Sequence, residues 1–368
     1  MPAPVAKYEI MYYCIVQKGV LIMRKSKKDY KSILESDKLA KAKTAHDLLR
    51  SYLQKAMYLP GEIPQNRMLM LQLNAYLALD ESFRPIDLSP VGVLGTNTVL
   101  AGLSQKTVLS ALRDSEILAD PTTALALEAV RLQVQCAEAD KTLRLAACTR
   151  LLRLQNFNSR TEFSPHFLAM GLVSSGVDKG HRLFETEELR KHIESSLNVL
   201  IKLNKPKMHK VTLCYSDTRI MHSICASIGI ETSSLTRLSR QSGFSAFDYL
   251  QIALPKQLSE PRALDKGLVF GADFEKAMHE AESLWRSAIE PLIEMYPNVD
   301  FLFHLDRTAG INYYNGPCFK IRAQADEGAV FSLVDGGRVD WATKFTGLKK
   351  VRMLSTGIGL ELLEKQFS

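Results

Sequence analysis

Ala309-Gly310-Ile311-Asn312-Tyr313-Tyr314-Asn315-Gly316-Pro317-Cys318-Phe319-Lys320-Ile321-Arg322, an acidic polar turn over 324–327, then Ala329-Val330-Phe331-Ser332-Leu333-Val334-Asp335-Gly336-Gly337-Arg338-Val339-Asp340-Trp341: on this stretch the reading of the chain turns. Two runs of β-branched and aromatic residues joined by a short polar turn predict a long antiparallel hairpin. The second run holds Gly336-Gly337, where a missing side chain lets backbone or ligand come close.

The 368 residues suffice for one large domain or two small ones. A chain that is 46% hydrophobic and 24% charged has an ordinary globular balance. A net charge of +7 permits an anionic partner without requiring one. Six cysteines are scattered with no Cys-x-x-Cys and no histidines beside them, so neither a zinc site nor a redox motif is expected. Scattered thiols fit a reducing compartment, and no apolar run approaches the ~20 residues needed to span a bilayer. The expectation is a cytoplasmic protein without a signal peptide.

Residues 1–62 read as an N-terminal extension: short strands over Tyr8 to Met23, then a helix rich in Lys25, Lys27, Lys28, Lys31, Lys38, Lys41 and Lys43. Clustered lysines neutralise phosphates, which would suit a nucleic acid, but a solvated helix face is the favoured reading. Leu59-Pro60-Gly61-Glu62-Ile63-Pro64 reads as a linker.

Tyr313-Tyr314-Asn315-Gly316 and Asp335-Gly336-Gly337-Arg338-Val339-Asp340 resemble, in order and spacing, the two histidine-specific motifs of histidyl-tRNA synthetases. The regulatory subunit of ATP phosphoribosyltransferase carries versions of the same motifs. The resemblance covers roughly residues 66–368 and implies an α+β, class II synthetase-like antiparallel sheet flanked by helices. It implies a core domain over 63–368 with a helical insertion at about 230–260. The helix and strand over 68–90 resemble motif 1, which implies a homodimer through that segment. Strand, loop and strand over 143–176 resemble motif 2, making Arg150 or Arg153 the candidate phosphate-gripping arginine and Arg160 a loop contact. An arginine suits that role because its planar fork binds phosphate oxygens bidentately. Ser355 to Leu363 resembles motif 3.

The resemblance marks Tyr313, Tyr314, Gly316, Gly336, Gly337, Arg338 and Asp340 as an amino-acid pocket, with Arg338 and Asp340 orienting a small polar ligand. Read blandly, the tyrosines pack the sheet, the glycines make a bulge and Arg338 pairs with Asp340. The nucleotide side departs from the family. Ala309 stands where an arginine is expected, with Arg307 two residues upstream, a shift of about 6–7 Å if the segment is a strand. Leu362 replaces the arginine of motif 3, and a glutamate expected near Val173 is missing. Ala119 and Pro121 replace an arginine and a substrate-holding glutamate. Removing one preorganised charge contact costs ~3 kcal/mol at a transition state, so several such losses erase most of a synthetase's rate.

The expectation is a catalytically degenerate paralogue acting as a regulatory or scaffolding subunit on a catalytic protein partner, with no cofactor, no metal and no catalytic residue. No anticodon-binding domain is expected. The alternatives are a ligase adenylating an amino acid for a non-tRNA acceptor, and a nucleic-acid-binding accessory protein.

Overall fold

The computed structural model describes residues 27–135, 141–154, 164–239, 243–264 and 270–368. The strands expected over Tyr8 to Met23, Lys25 and Arg160 lie outside the described residues. Among the described residues there are twelve strands: β1 (Arg84–Pro85), β2 (Val91–Val93), β3 (Ser110–Ala111), β4 (Ser115–Ile117), β5 (Leu143–Leu152), β6 (His166–Val177), β7 (Lys210–Asp217), β8 (Gln257–Leu258), β9 (Val299–His304), β10 (Pro317–Gln324), β11 (Val330–Val339) and β12 (Val351–Ile358). Nine form one sheet in the order β1-β5-β6-β12-β11-β10-β7-β9-β8. From β5 to β7 every neighbour is antiparallel, whereas β1 joins β5 and β9 joins β7 in parallel. A mostly antiparallel sheet flanked by helices is the expected α+β architecture. The short β2, β4 and β3 form a separate sheet.

Side-chain alternation divides the large sheet into two faces. On the back lie the helices Leu183–Leu203, Ala272–Leu284 and Leu360–Phe367, closing a core with Leu213, Phe303, Phe319 and Ile321. On the front, the helix Pro121–Gln135 crosses β5, β6 and β12, joined by Tyr314 and the short helix Trp341–Thr346 in a second core with Val173 and Met353. Gly171 is required beneath it: a Cβ there would meet Pro121 at 2.9 Å. Asp120 opens this helix, its Oδ1 accepting the Thr122 amide at 2.9 Å.

Two expectations change in the structure. The hairpin is shorter than predicted: β10 begins at Pro317, because Gly310 and Gly316 (φ 79° and 113°) turn the preceding segment out of the strand. The nine apolar residues Phe274, Met278, Ala281, Leu284, Trp285, Ala288, Ile289, Leu292 and Ile293, whose spacing predicts one helix over 272–296, lie instead on three pieces, an α-helix to Leu284, a π turn Trp285–Ile289, then Glu290–Met295. Pro291 supplies the reason, having no amide to continue the ladder. The insertion consists of short helices, Thr232–Leu238 and Ala246–Leu250.

Candidate functional site

The front of the sheet around Tyr313 and Tyr314 gathers most of the marked residues. The two rings meet edge to face at 4.8 Å, and Tyr313 meets Trp341 at 5.3 Å. The Tyr313 hydroxyl shares a hydrogen bond with Thr122 Oγ1 at 2.9 Å and donates to Asp120 Oδ2 at 3.4 Å. Burial and then the Asp120 carboxylate hold the phenol well above its ordinary pKa. Tyr314 packs under Gly310, where a Cβ would lie 2.8 Å from the ring, and its face carries the Arg307 guanidinium at 5.4 Å.

Arg307 does not sit on a strand, since β9 ends at His304, so the strand-slip distance expected for it does not apply. Its side chain is 2% exposed and donates to Ala309 O at 3.0 Å and to Asp335 Oδ1 at 2.7 Å. Lys320 Nζ holds the other Asp335 oxygen at 3.2 Å. Burial raises the Asp335 carboxyl, but Arg307 and Lys320 overcome it and hold the group below its ordinary range. Sequence reasoning missed Asp335, Thr122 and Asp120 as partners. Alternation along β11 places Asp335 on the front, but which cations meet it depends on a loop path no periodicity encodes.

The same alternation separates residues that the motif placed together. Arg338 lies on the back face, where Nε stands 3.3 Å from Glu185 on the helix Leu183–Leu203 and Nη1 donates to Asn315 O at 2.8 Å. Asp340 pairs with Lys344 at 2.9 Å. Arg338 and Asp340 therefore pair with Glu185 and Lys344 rather than with each other. The glycines serve packing: a Cβ on Gly336 would fall 2.3 Å from Thr356 Oγ1, and one on Gly337 2.6 Å from Cys318 Cβ. Gly316 closes the loop, its amide donating to Thr218 Oγ1 at 2.9 Å.

The candidate phosphate arginines divide likewise. Arg150 shares the back face with Ala146 and is 3.2 Å from Glu361, beside Gly61. Arg153 stands on the front, stacked on Phe167 at 5.4 Å, its Nε donating to Ala119 O at 2.7 Å, with Asp120 at 3.9 Å. Val173 is fully buried on the front under the helix Pro121–Gln135, and Leu362 packs against the back core. Among the described residues no group of His, Cys, Asp and Glu side chains could hold a metal ion, and no helix is long and apolar enough to cross a membrane.

Known structures with this arrangement decide what fold it is. A protein described as an ATP phosphoribosyltransferase regulatory subunit/histidyl-tRNA synthetase, from Bacillus halodurans, superposes with a TM-score of 0.62 at 15% identity, over 84% of this chain and 82% of that one. The histidyl-tRNA synthetase of Nostoc sp. PCC 7120 matches with a TM-score of 0.57 at 16% identity, over 83% and 73%. The chain has the fold of the class II synthetase core seen in these proteins. A histidine–tRNA ligase subunit from Alicyclobacillus acidocaldarius shares this core over 83% of the present chain and 96% of its own, with a TM-score of 0.54 at 16% identity. No family pattern and no curated sequence matches the chain. Within this histidyl-tRNA synthetase-like core, Val173, Ala309 and Leu362 stand where the resemblance expects charge.

Proposed function

We propose that this chain is a catalytically degenerate histidyl-tRNA synthetase-like protein that works in the cytoplasm as a regulatory or scaffolding subunit of a catalytic partner. The observation that carries the reading is Val173, fully buried on the sheet front near where the motif 2 resemblance expects a glutamate. Ala309 and Leu362 add two further uncharged positions. The Bacillus halodurans neighbour, described as a regulatory subunit, gives the precedent for such a role on this fold.

The same reading makes the protein a homodimer through the helix Gln65–Leu77 and the segment after it. Met68, Leu71 and Ala75 face the core, while Leu69, Met70, Leu73 and Leu77 are 51–67% exposed, so the helix is apolar on both sides. An apolar outer row of this kind marks an interaction face.

ATP–pyrophosphate exchange measured across the twenty amino acids tests the reading. No exchange is expected, and the catalytic partner recovered with the chain from native cells should change activity when the chain is titrated back. Exchange with any amino acid would overturn the degenerate reading in favour of an adenylating ligase. Arg153 favours that second reading, being a front-face arginine at the end of β5 with 29% of its side chain exposed.

A further inference from the structure

Across the front of β9, β7, β10 and β11 the strand register sets side chains in rows. One row runs Leu302, Cys214, Lys320 and Asp335; in the next, Arg322 stands beside Thr212. Arg307 enters from the loop after β9 and shares Asp335 with Lys320. Asp300, also on this face, is taken by Lys210 at 2.7 Å.

Arg322 is half-buried and has no acidic partner within 4 Å among the described residues. Arg307 Nη1 is buried with no hydrogen-bond partner among the described residues, and a buried donor left unpaired costs about 1–3 kcal/mol, more when charged. Three cations against one carboxylate leave an excess of two positive charges. His304, on the same face, reports their closeness: burial first, then Arg322, Arg307 and Lys320, push its pKa down to about 3. The imidazole is therefore neutral and adds a hydrogen-bonding nitrogen rather than charge.

We propose that Arg322, Lys320 and Arg307 form a binding site for a small dianionic oxyanion, a phosphate monoester or a dicarboxylate, on the front of β7, β9 and β10. A guanidinium fork and an ammonium point charge complement such a group, and the excess charge matches a dianion rather than a monoanion. The site does not depend on the regulatory reading, because it needs neither a partner nor a dimer.

Calorimetric titration of the full chain with inorganic phosphate and with succinate, at constant ionic strength in chloride, tests the site. At least one anion should bind saturably. Arg322→Gln and Lys320→Gln should each weaken it about tenfold or more, and Arg322→Lys less. Lys276→Gln, on the helix Ala272–Leu284 behind the sheet, should leave affinity within about twofold. Phosphate binding alone assigns a phosphate monoester, and succinate binding alone a dicarboxylate. The proposal fails if neither anion binds beyond the chloride control, or if the folded Arg322→Gln protein binds both as well as wild type.

Discussion

Asp335 and His192 set how single side chains govern this sheet. Asp335→Asn would leave Arg307 buried without its acid and should cost about 3 kcal/mol in chemical denaturation, the low end for breaking a buried pair because Asp335 is 40% exposed. An unchanged unfolding midpoint would contradict the pairing. His192 is fully buried between the Ser174 and Thr356 hydroxyls, both at 2.8 Å, and burial followed by Arg144 lowers its pKa to about 3. In the unfolded chain it protonates near pH 6.5, so the unfolded state takes up the proton first as pH falls. The neutral folded histidine thus stabilises fully above pH 6.5 and loses about 1.4 kcal/mol per pH unit from there down to about pH 3. His192→Gln should flatten this part of the stability–pH curve even if it lowers overall stability, as urea titrations between pH 4 and 7 would read. A slope equal to wild type would remove His192 as its source. Strand alternation made the side of each β11 residue legible, but the partners came from helices and loops remote in sequence.

Elements tell a similar story at larger size. The amphipathic helices, the motif 2-like hairpin and the strand-to-helix ending are legible because their apolar periods are long and their ends carry caps and breakers. The π turn was not, because a stripe of nine apolar residues outweighed the single Pro291 in the sequence reading. The helix Gln65–Leu77 carries apolar residues all round, and periodicity alone cannot tell which row is core and which is interface. Leu69→Glu with Leu73→Glu, on the exposed row, should leave monomer stability within about 0.5 kcal/mol, as surface changes do. The double variant should convert a dimer to a monomer in light scattering. A wild-type monomer, or a variant still dimeric, would exclude this face.

For the whole molecule, what bears on the proposed degeneracy is a lack of room at position 173. Restoring Val173→Glu, Ala309→Arg and Leu362→Arg together should not restore pyrophosphate exchange. Position 173 is fully buried beneath the helix Pro121–Gln135, so a carboxylate placed there would be taken out of solvent. Val173→Glu alone should lower stability by several kcal/mol, or bury the group protonated. A triple variant as stable as wild type, or one active in exchange, would show that the floor can open.

By itself the sequence determined the class II-like sheet, the order of its motifs and the uncharged residues Ala309, Val173 and Leu362, because spacing, alternation and residue type are local properties of the chain. Only the tertiary structure decided that Arg338 and Arg150 face the back, that Asp335 binds Arg307, and that Arg322 stands without an acid among the described residues. Those outcomes depend on which distant segment packs against each face, and long-range packing leaves no periodic mark in the sequence.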